Sequence, residues 1–140
     1  MNTPSNTITV SLHRIQRGHG TAFTSQPPRA PIRRPARIAV MLALAHSIQA
    51  AMADGRVLNQ ADAARLLDYT PARMTQLLDL LLLAPDLQEQ ILGLEAVDGK
   101  QPLVERHLRE VVRLTSWVEQ RVAFDARANL ASSSTSSPAE

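Results

Sequence analysis

An all-α fold, a compact bundle of five to six helices, is the class the sequence predicts. Three observations lead there. Aromatic residues are only 3% of the chain while hydrophobic residues are 44%. The core must therefore be Leu, Ala, Val, Ile and Met, which suits helices better than sheets that draw on aromatic and β-branched side chains. From Ile38 onward apolar residues recur at helical spacing, and Pro, Gly and polar clusters interrupt them at helix-length intervals. A length of 140 residues suits one small domain with tails.

Residues 1–35 read as a flexible, basic, proline-rich N-terminal arm. Ile8, Val10 and Leu12 alternate with polar residues, so a short strand fits there. "TSQPPRAPIRRP" reads as an extended linker. The helical domain spans 36–126. Its first helix covers Ala36 to Asp54, with Ile38, Met41, Leu42, Ala45, Ile48 and Met52 on one face and Gly55 as C-terminal cap. The second covers Gln60 to Leu67, capped by Asn59 with Asp62 in its first turn. The third runs from Pro71 to Leu83, with Thr70 as cap and Pro71 where a missing N–H costs nothing. The fourth spans Pro85 to Leu92. "VDGK" marks a turn, the fifth helix covers Val104 to Arg113, and Ser116 opens the sixth. Residues 127–140 read as a disordered tail.

Composition excludes several classes. With no Cys, disulfide frameworks and cysteine-ligated zinc are ruled out. "MNTPSNTITV" has no secretory pattern, and no apolar run approaches the ~18 residues of a membrane span. The expectation is a cytoplasmic protein without a membrane partner. The four histidines, His13, His19, His46 and His107, form no metal pair, and no phosphate-binding loop or nucleophile–base arrangement appears. No catalytic residue, metal or cofactor is expected. Trp117 is expected to serve core or helix packing.

The net charge of +2 conceals an asymmetry. Arg14, Arg17, Arg29, Arg33, Arg34 and Arg37 lie within residues 1–37, which hold no acidic residue. Such a basic arm suits an anionic partner such as nucleic acid.

"ADAARLLDYTPARMTQLLDLLLLAP" places two helical patterns on either side of a very short turn. Helices so joined cross steeply, as in a helix-turn-helix. Ala64 supplies the small residue at the crossing, and Ala63, Leu67, Tyr69, Met74 and Leu77 line the inner faces. Asp68 occupies the position where positive φ is required and Gly is usual. The N-terminal half of the third helix then faces outward, and its leucine-rich C-terminal half is core. Thr70, Ala72, Arg73, Thr75 and Gln76 are the outward residues, and Arg and Gln suit guanine and adenine edges respectively. Residues 56–83 hold three Arg and three Asp, so this module needs further cations from Arg33, Arg34 and Arg37 or from a second subunit.

"ADAARLLDYTPARMTQLLDLLLLAPDLQEQIL" resembles the helix-turn-helix of the ParB/KorB partition proteins. The chain is more similar still to small bacterial helix-turn-helix proteins encoded beside serine recombinases in mobile elements. "HRIQRGHG", "IRRPARIAVMLALAH", "TPARMTQ" and "LLLLAPDLQE" carry that resemblance. It implies a DNA-binding protein without a catalytic role. It also implies that Thr70, Arg73, Thr75 and Gln76 belong to the recognition helix. Nothing resembles the partition proteins' nucleotide-binding domain, so partition activity is not implied.

The expected function is sequence-specific binding of double-stranded DNA, as a transcription regulator or accessory factor of a mobile element or its serine recombinase. A homodimer is expected, since one helix reads only a few base pairs, with Leu108, Val111, Val112, Val118 and Val122 as candidate interface residues. Two alternatives are a helical adaptor that binds a recombinase, and a non-specific nucleic-acid binder acting through the arm alone.

Overall fold

The structure, a computed structural model, describes residues 9–18, 20–25 and 27–133. The chain divides into two units, one ending at Pro31 and one beginning at Ile32.

The first unit is a hairpin. Strands β1 (His13–Arg17) and β2 (Gly20–Thr24) pair antiparallel, with Arg14 opposite Phe23 and Ile15 opposite Ala22. Gly18 takes φ 58°, the left-handed conformation that such a tight turn demands. The strand expected around Ile8, Val10 and Leu12 is displaced down the chain. Ile8 lies outside the described residues, as does His19, while Val10 and Leu12 are exposed and precede β1. A lone strand has no partner for its backbone; the "RGHG" turn lets residues 13–17 find one in residues 20–24.

The second unit is mostly helical, with a small ribbon that an all-α reading omits. Strand β3 (Arg33–Pro35) pairs antiparallel with β4 (Glu95–Val97). Asp98 and Gly99, at φ 50° and 80°, reverse the chain after β4. The ribbon is latched at its open end, where Ile32 N–H donates to Asp98 Oδ1 (3.0 Å) and Asp98 N–H donates to Ile32 C=O (2.9 Å). Arg33–Pro35 is therefore part of the folded unit rather than of a free arm.

Between the strands run α1 (Arg37–Ala53), α2 (Gln60–Leu66), α3 (Pro71–Asp79) and α4 (Pro85–Leu92); α5 (Glu105–Val112) and α6 (Trp117–Ser133) follow. α1 packs on α3 and α4, and α5 on α6. Ile38 and Leu42 of α1, Met74 and Leu77 of α3, Leu87 and Ile91 of α4, and Leu108 and Val111 of α5 are almost completely buried. Truncating any of these leucines to Ala removes a burial worth about 2–5 kcal/mol. Gly55 ends α1 with φ 75°, and Arg56 N–H reaches back to Ala51 C=O (2.9 Å).

The third helix is shorter than its leucine pattern predicts. It ends at Asp79 and tightens into a 3₁₀ turn, Leu80–Leu82. The chain leaves the helical course at Leu83, with ψ 150°, and Pro85 keeps Ala84 extended as well, at ψ 140°. The break releases backbone groups inside the core, and two glutamines satisfy them. Gln120, buried on α6, accepts from Ala84 N–H (2.8 Å) and donates to Leu82 C=O (3.3 Å) and Leu114 C=O (3.0 Å). Gln88 donates to Leu81 C=O (3.0 Å) and Leu83 C=O (2.8 Å), and its Oε1 lies 2.7 Å from His46 Nε2. Each such group left unpaired in the interior would cost about 1–3 kcal/mol. Leu77, Leu78, Leu80 and Leu83 are core, as predicted, but Leu82 is 60% exposed.

Helix α6 does not stop at residue 126. It continues to Ser133, because the stretch "DARANLA" over residues 125–131 is rich in helix formers and holds no Gly or Pro to end it.

Candidate nucleic-acid interface

The joint between α2 and α3 is set by caps at both ends. Asn59 Oδ1 accepts from Asp62 N–H (2.9 Å), and Asp62 Oδ2 accepts from Leu58 N–H (3.2 Å), fixing the start of α2. At its end Asp68 takes φ 56°. Tyr69 N–H then donates to Ala64 C=O (2.8 Å) and Asp68 N–H to Arg65 C=O (3.3 Å). That is a Schellman ending with Asp where Gly is usual. Thr70 Oγ1 accepts from Arg73 N–H (3.2 Å), and Pro71 opens α3. Ala63 and Ala64 are buried where α2 and α3 meet. A shallow cleft of about 450 Å³ opens between the two helices, lined by Ala61, Ala64, Tyr69, Pro71, Met74 and Thr75 among others.

The outward face of α3 carries Thr70, Ala72 and Thr75, all exposed, and Gln76, half-buried. Two of the hydroxyls are engaged locally: Thr70 caps the helix, and Thr75 Oγ1 donates to Pro71 C=O (3.0 Å). Gln76 makes no side-chain hydrogen bond among the described residues.

Arg73 requires a correction. It is not a free group reaching outward. Its Nη1 donates to Glu105 Oε1 at 2.6 Å, and its Nη2 lies 3.7 Å from Met41 Sδ. Its side chain is 34% exposed and that of Glu105 17%. The N-terminus of α5 brings Glu105 under α3, and a half-desolvated, charge-assisted bond at that distance is among the stronger side-chain contacts. Arg109 also lies 3.5 Å from the same carboxylate oxygen.

The three arginines expected near the arm are separated. Arg33 pairs with Glu95 (3.1 Å) across the ribbon. Arg34 and Arg37 are exposed, and neither guanidinium has an acidic partner among the described residues. Both line a cleft of about 520 Å³ between the β3–β4 ribbon and α1. A second cleft, of about 280 Å³, shares Arg37, Met41 and Gln101 with the first and adds Glu105, Arg106 and Arg109. The two form one groove holding Arg34, Arg37, Arg106 and Arg109. Its acids are both engaged: Asp98 on the Ile32 amide and Glu105 on Arg73 and Arg109. Four arginines against two carboxylates leave the groove with a surplus of positive charge next to the root of α3. Arg106 and Arg109 were not singled out from the sequence. Their signal lies in "VERHLRE", but only the placement of Glu105 beside Arg73 and of Arg106 and Arg109 beside Arg37 gives it meaning.

Elsewhere Arg121 forms a two-pronged bond with Asp86, Nε to Oδ2 at 2.8 Å and Nη2 to Oδ1 at 2.9 Å, tying α6 to α4. That bond holds the Asp86 carboxyl below its ordinary value and raises the Arg121 guanidinium. Trp117 is not core: it stands at the start of α6 and is 52% exposed. The predicted interface residues also divide, since Leu108 and Val111 are sealed in their own core and Val118 and Val122 are exposed on α6. Among the described residues no group of three His, Asp or Glu could hold a metal, and no helix is long and apolar enough to cross a membrane.

No protein-family model, curated protein or solved structure matches this chain.

Proposed function

We propose that this chain binds double-stranded DNA sequence-specifically, with α2 and α3 as a helix-turn-helix and α3 as the recognition helix. The observation that carries the reading is the pairing of two surfaces. One is the outward first half of α3, with Ala72, Thr75 and Gln76, whose amide is uncommitted among the described residues. The other is the adjoining groove, where Arg34, Arg37, Arg106 and Arg109 outnumber the carboxylates of Asp98 and Glu105. Base edges in a major groove are read by a helix face of the first kind, and phosphates are held by cations of the second. The Asp68 turn supports the steep crossing, and the likeness to ParB/KorB and recombinase-linked proteins supports the class. Under this reading the chain is a regulator or accessory factor of a mobile element, and it acts as a dimer on a two-fold site.

Binding-site selection from a randomised duplex pool tests it. The wild-type chain should enrich one motif, and Gln76→Ala should relax a single position of that motif by about 1–3 kcal/mol. A pool that returns unenriched at low salt overturns the proposal. A second reading, a helical adaptor for a recombinase, is favoured by the exposed Trp117, Val118 and Val122 on α6. Gln76→Ala with Arg34→Ala separates the two: an adaptor keeps its protein partner, while a DNA-binding chain loses affinity for its motif.

A further inference from the structure

The β1–β2 hairpin lies outside the helix-turn-helix reading. Its register places Arg14 directly across from Phe23, and Ile15 across from Ala22. Residues directly opposite share a face, and neighbours along a strand alternate. One face therefore carries Ile15 and Ala22, both half-buried. The other carries Arg14, Thr21 and Phe23, all exposed, with Phe23 at 67%. A two-stranded ribbon is marginally stable alone and gains from lying on a surface. Phe23 beside Arg14 on one ribbon face sets a flat aromatic surface next to a cation, a pairing that suits a nucleic-acid surface.

Charge identifies that surface. The first acidic residue of the whole chain is Asp54, so the unit that ends at Pro31 holds no carboxylate to answer Arg14. A ribbon with this balance fits a polyanion. The major groove of duplex DNA admits a two-stranded ribbon, and strands are an established alternative to helices as groove readers.

We propose that the β1–β2 hairpin is a second DNA-contacting element. It lays its Arg14–Phe23 face on a duplex groove, with Arg14 on a phosphate or base edge and Phe23 against the sugar and base surface. This rests on the chain being a DNA-binding protein, and it adds a contact that α3 does not supply.

The test uses the full chain and the duplex recovered by selection, with binding followed by fluorescence anisotropy across a salt series and by hydroxyl-radical footprinting. Arg14→Glu with Phe23→Ala should weaken binding at least about tenfold and lower the slope of log K against log salt by about one. It should also shorten the footprint on one flank while the α3 motif persists. Arg14→Lys, which keeps charge and ribbon, should retain the slope. Wild-type affinity, slope and footprint in the double variant, with one motif position relaxed in Gln76→Ala, overturn the hairpin proposal and leave the α3 reading standing. Binding lost in the double variant but untouched by Gln76→Ala supports the hairpin and overturns α3. A wild-type chain that shifts no duplex overturns both.

Discussion

Two sets of arginines meet around the roots of α1, α3 and α5, and they are held in opposite ways. Arg73, expected on the outward face of α3, is instead clamped by Glu105 and half withdrawn from water. Arg34, Arg37 and Arg106 stand along the neighbouring groove with no acidic partner among the described residues. Helical spacing fixes the direction in which a side chain leaves the backbone. Its availability is fixed by what another element delivers to the same place, here a carboxylate from 32 residues downstream. Shape and charge are thus divided: α3 offers a nearly neutral outward face, and the unpaired cations lie beside it.

The sharpest way to break this contrast is to remove the open set. Arg34→Ala, Arg37→Ala and Arg106→Ala together should lower duplex affinity roughly 10- to 100-fold and flatten the salt slope by about 2.7. An unchanged slope in the same anisotropy series would mean that the groove does not face the backbone. Arg73→Ala comes next. It should leave the selected motif as it is and lower stability by about 1 kcal/mol, roughly 4 °C in a thermal melt. A base position relaxed by this change would show that the clamp opens on DNA. Glu105→Gln should release Arg73 and Arg109 at nearly constant volume, raising affinity for all duplexes alike by roughly threefold. The smallest effect belongs to the outlying pair on α4 and α6. The Asp86 carboxyl is lowered from its ordinary value of 3.8. The pair's contribution is then complete above that value and vanishes as pH falls through the lower, folded one. Melting points of wild type and Asp86→Asn should converge at the acid end and separate as pH rises through the carboxylate range.

Much of the helical unit is legible in the sequence because its boundaries are chemical. Asn59, Thr70, Pro71, Gly55 and Pro85 stand where caps and breaks require them, and Asp68 adopts the positive φ that the short turn demands. What escapes the sequence depends on distant pairing. The β3–β4 ribbon has three residues a side, one of them Pro35, too few to show a period. The early end of α3 is masked by the leucine run, which looks the same in a helix or a 3₁₀ turn. The outward face of α3 is readable from spacing. The Arg73–Glu105 clamp and the groove through Arg106 and Arg109 are not, because α5 must dock before either exists.

Gln120 reaches from α6 into the joint between α3 and α4 and holds the Ala84 amide, which belongs to no helical ladder. That hydrogen can be traded for deuterium only when α6 lifts away. Ala84 is then a reporter of how firmly α6 grips the joint between α3 and α4. Loosening α6, by a partner or by truncation, would free the Ala84 amide and the Leu82 carbonyl together.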